Sequence, residues 1–309
     1  MQRELEMRPQ ALLPLLLVIA ACSNEAVDRS ENPDGDATRR TSQRIVNGTP
    51  DTAAGDSVVF IATGSEGSFC TGTLIAPNLI ITARHCVADP SQDTDCGTFG
   101  ATHAASTFVI SVGLQHSTAV AKGSKVTVDT TKPNNICGND IALIQLDREV
   151  SNARLSRVRL TKLVTGEAAT TSGYGDDGTG RNTNGRFIRK GIKVDAVGPS
   201  PFSYTTQAGQ KLPVALPAGE IVTGESTCFG DSGGPLFDAA GNVIGMTSRG
   251  IDSECNDRPS IYTDTASHAA VITAAAAAAG HPLQPASPPA VFCAVFSKCV
   301  INSEIMTGS

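Results

Sequence analysis

The chain has 309 residues, with 24 Lys and Arg against 30 Asp and Glu, a formal net charge of −6 and both signs mixed along its length. No basic block is present to grip a phosphate backbone, which argues against a nucleic-acid partner. Only 4% of residues are aromatic and Trp is absent, so the core must rest on Val, Ile, Leu and Ala, and the many β-branched residues and glycines favour short strands joined by turns.

The chain opens on an apolar run, Ala11 to Ala21, too short to span a bilayer as a helix. It reads as the core of a signal peptide over residues 1–21. The run ends in Ile19-Ala20-Ala21-Cys22, which resembles a bacterial lipoprotein cleavage box. That resemblance implies a lipid on Cys22 holding the protein to a membrane, and Ser23 directing it to an outer one; the alternative is ordinary secretion with Cys22 incidental. Residues 22–44 are polar and charged, with a turn-forming stretch from Asn32 to Asp36, and bury too little apolar surface to fold alone. They read as a propeptide and tether that ends in Arg44-Ile45-Val46-Asn47-Gly48.

Ser57 to Thr63 and Phe69 to Ile75 read as strands separated by a Gly-containing loop, Pro77-Asn78 as a turn, and Leu79 to Thr82 as a strand running into Ala83-Arg84-His85-Cys86. Val126 to Val128 and Ile141 to Leu146 are further strands, the second preceded directly by Asp140. The Gly-, Asn- and Asp-rich run Asp176 to Gly185 reads as an exposed loop. The most informative stretch is Cys228-Phe229-Gly230-Asp231-Ser232-Gly233-Gly234-Pro235. Glycines on both sides allow a tight turn that presents Ser232 outward as a candidate nucleophile. They also leave the amides of Gly230 and Ser232 uncovered, free to stabilise charge on a carbonyl oxygen. A serine hydroxyl needs an adjacent base, and the base an orienting group; His85 and Asp140 are the upstream candidates. Thr265 to Ala279 is Ala-rich and stops at Gly280 with Pro282 beyond, the pattern of a terminated helix. Residues 282–309 form a Pro-rich tail holding Cys293 and Cys299.

From about Ile45 to His281 these segments resemble the chymotrypsin-like (trypsin-family) serine proteases, which order their triad His, Asp, Ser. The resemblance implies an all-β fold for residues 45–281: two six-stranded antiparallel Greek-key β-barrels with a C-terminal helix. It implies a serine endopeptidase, secreted or lipid-anchored, that cleaves protein or peptide substrates through an acyl-enzyme with no metal or organic cofactor. Ser232 would attack, His85 would carry the proton, Asp140 would fix the imidazole tautomer, and the Gly230 and Ser232 amides would form the oxyanion hole. Cleavage after Arg44, by an activating protease of basic specificity, would free the Ile45 amino group to pair with Asp231, a switch whose cation does not exist until the cut. By the same resemblance Ser226 stands at the base of the specificity pocket, where relatives that cut after Lys or Arg carry Asp. Gly250 and Ser260 match its walls, and Ser248 matches a serine bonded to the triad Asp. A small or medium uncharged side chain is the expected substrate residue, with a larger apolar one second. Arg249 replaces a frequent aromatic and would either attract acidic residues or lie in solvent. Arg84 replaces a small residue before the histidine and is expected to snorkel outward. The competing reading is a catalytically inactive homologue acting as an anchored binding protein.

Nine cysteines are present; setting Cys22 aside leaves eight. The family resemblance implies bridges Cys70–Cys86 and Cys228–Cys255. Cys96, Cys137, Cys293 and Cys299 allow three connectivities, of which Cys96–Cys137 with Cys293–Cys299 is preferred. His103, His116, His268 and His281 carry no motif and read as surface or packing residues. No cysteine lies between Cys22 and Arg44, so no disulfide would hold a severed propeptide, and activation would release the enzyme from the membrane.

Overall fold

The computed structural model describes residues 45–53, 56–64, 68–91, 96–175, 185–206, 208–251, 255 and 258–288, together with the backbone of 291–294, 298–301 and 304–307. The signal peptide, Cys22, the tether through Arg44 and the loop at 176–184 lie outside the described residues.

A first barrel is built from β2 (Val58–Ala62), β3 (Phe69–Ala76), β4 (Leu79–Thr82), β5 (Val109–Ser111), β6 (Ala119–Val128) and β7 (Ala142–Leu146), following a short strand β1 (Thr49–Pro50). The ring closes in the order β2-β3-β4-β7-β6-β5. A second ring uses β8 (Ala168–Gly173), β9 (Phe187–Val197), β12 (Glu220–Thr223), β13 (Pro235–Asp238), β14 (Val243–Arg249) and β15 (Ser260–Asp264). Its order is β8-β9-β12-β15-β14-β13, closed by β8 pairing with both β9 and β13. In each ring the first three strands are followed around the barrel by the sixth, fifth and fourth, so one topology is used twice. Between β9 and β12 a separate antiparallel hairpin, β10 (Ser200–Thr205) and β11 (Lys211–Leu216), stands outside both rings.

The strands follow from the apolar runs. β2 and β4 are buried at nearly every position, as expected where β-branched and aliphatic residues fill a barrel from one side and pack under neighbouring chain on the other. The first barrel's interior gathers Val59, Ile61, Leu74, Ile80, Phe108 and Ile144, among others; burying each contributes about 1.5–3 kcal/mol relative to leaving it exposed. A second cluster spans the barrels, bringing Phe60, Leu143 and Tyr174 together with Phe237, Met246 and Ile272. Ile272 belongs to α1 (Ala269–Ala278), an alanine-rich helix that buries Ile272, Ala275 and Ala276. Alanine has the highest helix propensity, and the helix ends at Gly280 (φ +83°), where His281 N–H reaches back to Ala276 O at 3.0 Å, a Schellman closure. Among the described residues no helix is long and apolar enough to cross a membrane. At the C-terminus β16 (Val291–Ala294), β17 (Lys298–Ile301) and β18 (Glu304–Thr307) form an antiparallel sheet whose register sets Cys293 opposite Cys299 along the backbone.

The barrels are fastened by a fully buried cation. Arg186, just before β9, donates through Nε to Asp51 Oδ2 at 2.8 Å and through Nη2 to Ala53 O at 2.8 Å and Nη1 to Val58 O at 3.2 Å. Its guanidinium lies 5.9 Å from the centre of the Tyr174 ring, and burial pushes the Tyr174 hydroxyl up to about 12. Arg186→Met is expected to lower the unfolding free energy by about 3–5 kcal/mol, because Asp51 would stay buried without its cation; urea denaturation of the variant checks this.

Candidate active site at the barrel seam

Ser232 sits in the turn entering β13. Within the turn Asp231 N–H donates to Cys228 O at 3.1 Å and Gly234 N–H to Asp231 O at 2.8 Å. Gly233 has φ +76°, and a Cβ there would lie 2.0 Å from Thr82 Oγ1, so only glycine brings this turn so close to the first barrel. From that barrel Thr71 donates its N–H to Ser232 O and its hydroxyl to Gly230 O, both at 2.8 Å. Asp231 is fully buried, its carboxylate accepting the N–H groups of Gly175 at 2.8 Å and Cys228 at 2.9 Å. The amides of Gly230 and Ser232 meet no protein acceptor among the described residues.

His85 comes from a single 3-10 turn, Arg84–Cys86, at the end of β4. The disulfide Cys70–Cys86 ties this turn to β3. Asp140, two residues before β7, is fully buried. Its Oδ1 accepts the His85 backbone N–H at 2.8 Å, and its Oδ2 lies 2.6 Å from His85 Nδ1 and accepts the Ser248 hydroxyl at 2.7 Å. A carboxylate can only accept, so Nδ1 carries the proton and Nε2 is left as the basic atom. Burial by itself pushes the His85 imidazole down, but the charge of Asp140 and its hydrogen bond outweigh that and hold it above the ordinary histidine value. Cys96–Cys137 joins the loop after His85 to the residues just ahead of Asp140. Cys70, His85 and Cys86 also lie close enough together to suggest a metal site, but both sulfurs are spent in the disulfide and offer no thiolate.

Two cavities flank this group, and Ser232, His85 and Phe229 border both. The larger, about 690 Å³, runs along Ser248, Arg249 and Gly250 and reaches Thr227 and Ser260 on one side and Pro213 to Ala215 on the other. The disulfide Cys228–Cys255 lies on its wall. Ser260 Oγ accepts the N–H groups of Ser226 and Thr227 at 3.2 and 3.1 Å and is bonded to Thr227 Oγ1 at 3.0 Å. Ser226 is fully buried, its hydroxyl engaged with Tyr262 at 2.7 Å and Thr223 at 3.0 Å. It therefore lies behind Ser260 and Thr227, off the cavity wall. Among the described residues no carboxylate lines this cavity. The smaller cavity, about 360 Å³, opens on the opposite side, between Phe69, the Cys70–Cys86 bridge, Asp89 and His103. Among the described residues no hydrogen bond joins Ser232 Oγ to His85.

A family model described as Trypsin matches residues 45–272. The chain belongs to the trypsin family. Its relatives include trypsin alpha of Drosophila melanogaster, 28% identical over 233 residues that cover 72% of this chain and 84% of the relative. Trypsin of Saccharopolyspora erythraea is 29% identical over 66% of this chain and 85% of its own, and a trypsin-like protease of Streptomyces glaucescens 28% identical over 78% and 86%. Among solved structures, a mutant of human heparin binding protein superposes with a TM-score of 0.56 at 20% identity, covering 78% of this chain and 100% of that one. Neuropsin, a serine protease expressed in the limbic system of mouse brain, gives 0.52 at 17% identity, covering 71% and 93%. At those identities the likeness is one of fold.

In this trypsin-family domain two arginines differ from expectation. Arg84 does not snorkel outward. Only 9% exposed, it lays its guanidinium over Phe99, 4.4 Å from the ring centre, and donates to Asn134 Oδ1 at 2.5 Å. The aromatic face replaces water for the cation; burial pulls its pKa down while Asp140 and Asp129 act the other way. Arg249 is only 17% exposed and presents no free charge to a ligand. Its Nη2 bonds both oxygens of the fully buried Glu220, at 2.8 and 2.9 Å, and burial holds the Glu220 carboxyl above its usual range against the pull of that cation. Nothing in the local sequence around either arginine names its partner; two opposite charges on otherwise apolar strands were the only signal for the Arg249–Glu220 pair. His268 is buried between Asp129 and Gly138 O, both at 2.9 Å, and His116 stacks on Phe60. His103 meets Asp89, and His281 meets Glu149.

Proposed function

We propose that the protein is a serine endopeptidase that hydrolyses peptide bonds through an acyl-enzyme intermediate. The observation that carries this is the buried Asp140, bonded to both the backbone and the ring of His85, beside a cleft that His85 shares with Ser232. Ser232 Oγ attacks the substrate carbonyl as His85 Nε2 takes its proton; the amides of Gly230 and Ser232 receive the oxyanion; His85 returns the proton to the leaving amine; and water repeats the sequence on the acyl-enzyme. Ser248 helps hold Asp140. Across the larger cavity, Gly250, Ser260 and Thr227 bound the side chain before the cut. With the Ser260 hydroxyl held inward and no carboxylate among the described lining residues, a small or medium uncharged side chain fits best and a larger apolar one second.

In this reading residues 1–21 are removed as a signal peptide, 22–44 are a propeptide lipidated on Cys22 in the cell envelope or simply secreted, 45–281 are the protease domain and 282–309 a tail. Cleavage after Arg44 by a protease of basic specificity frees the Ile45 amine to pair with Asp231 and releases the domain from its anchor. The burial of Ile45, Val46 and Asp231 supports this, as does the Arg189 hydrogen bond to Val46 O at 2.8 Å, which seats the new terminus. A serine-directed fluorophosphonate tests the whole reading. Protein cut after Arg44 should label at Ser232, the uncut form should label far more slowly, and Ser232→Ala should not label at all. Cut protein that fails to label would establish instead an inactive homologue acting as a binding protein. Because no carboxylate lines the pocket among the described residues, purified wild-type zymogen should not cut itself after Arg44; self-cleavage that Ser232→Ala abolishes would contradict the assigned specificity.

A further inference from the structure

Ser232, His85 and Phe229 border two cavities, and the proposed function uses only one of them. If the larger cavity takes the acyl side of the scissile bond, the smaller one, across the same serine and imidazole, takes the leaving side. Its lining is distinctive. Among the described residues Asp89 is its only carboxylate, and no lysine or arginine borders it. Asp89 stands at the rim with its side chain 87% exposed, while His103 Nε2 lies 3.3 Å from its Oδ1. The backbone fixes both residues, since Gly100 N–H donates to Asp89 O and His103 N–H to Val87 O. Between the cavities stands Phe229, 59% exposed, an apolar lip against which the methylenes of a long cationic side chain can lie. A cation on the acyl side meets no carboxylate among the described residues; on the leaving side it meets Asp89.

We propose that the smaller cavity is a selective leaving-group subsite in which Asp89 favours substrates carrying lysine or arginine immediately after the cleaved bond. This rests on the reading of Ser232 and His85 as nucleophile and base. An exposed carboxylate in water contributes modestly, so the preference should be about two- to fivefold and should fade as salt screens it.

Partitioning of the acyl-enzyme tests the subsite apart from the acyl pocket. Activated full-length protein is acylated by a peptide ester, and the acyl group is captured by added amino-acid amides. The amine nitrogen attacks the acyl carbonyl, the ester bond to Ser232 Oγ breaks, and the amine proton passes through His85 back to that oxygen. The ratio of aminolysis to hydrolysis, read by chromatography, is normalised internally for each variant. Argininamide should be captured about two- to fivefold better than citrulline amide, its uncharged near-isostere, at low salt. Asp89→Asn should bring the two together, and Asp89→Lys should turn the preference towards the α-amide of glutamic acid. Equal capture by wild type, or a preference that survives Asp89→Asn, overturns the proposal while leaving the protease reading intact. Failure of any ester to acylate Ser232 overturns both.

Discussion

Ser232→Ala, assayed after cleavage at Arg44, is expected to lower kcat on a peptide substrate by a factor on the order of 10⁶. The hydroxyl is the only group in the turn that can carry the acyl chain, and the backbone bonds that shape the turn do not use it. His85→Ala should cost nearly as much, and the double variant little more than either, because a nucleophile and its base act as one unit. Thermal unfolding of Ser232→Ala should stay near that of the wild type, since no described hydrogen bond of the fold depends on its side chain. A fluorogenic peptide assay run beside a melting curve separates the two outcomes. Loss of stability matching the loss of activity, or a kcat within tenfold of wild type, would remove Ser232 from the chemistry.

Asp140→Asn should lower kcat by about 10⁴-fold and leave a particular mark on the pH profile. In the wild type Asp140 accepts from Nδ1, which keeps Nε2 basic, and its charge and hydrogen bond raise the imidazole above the ordinary value against the effect of burial. Catalysis requires the neutral ring, so kcat/KM rises with pH as that raised group loses its proton. An asparagine amide in the same place donates where the carboxylate accepted, selecting the tautomer with a proton on Nε2. It also removes the negative charge that favoured imidazolium. The acid limb of the profile should therefore move to lower pH even as the plateau collapses. A limb that stays in place would show that Asp140 does not set the His85 titration.

The parts of this molecule legible in its sequence are those written in short-range chemistry. β4 was readable as Leu79 to Thr82 because four consecutive aliphatic or β-branched residues follow a Pro-Asn turn, and the Ser232 turn because glycines demand backbone angles few other residues adopt. Only the last residues of β6 are legible, since its first half alternates with exposed lysine and serine and lacks an apolar run. The β10–β11 hairpin is not legible, because no Asn-Gly or Asp-Gly pair announces its tip. Arg186 with Asp51 and Arg84 with Phe99 are illegible for another reason. Each charge looks like a surface residue until the fold brings its partner over it, and a buried cation leaves no periodicity. Cysteine count alone left Cys96–Cys137 as one choice among several; the approach of the loop after His85 to the segment ahead of Asp140 selects it.

The division of the cleft between two rings bears on how the chain is made. Synthesis proceeds from the N-terminus, and a nascent polypeptide that has emerged as far as β7 can close the first ring with His85 and Asp140 already side by side. It has no Ser232, and the turn that will carry that serine takes its shape from Thr71 of the finished ring. The second half, released alone, would hold the serine without a base. Neither fragment holds nucleophile and base together, so the full set of groups is assembled only when the second ring closes against the first.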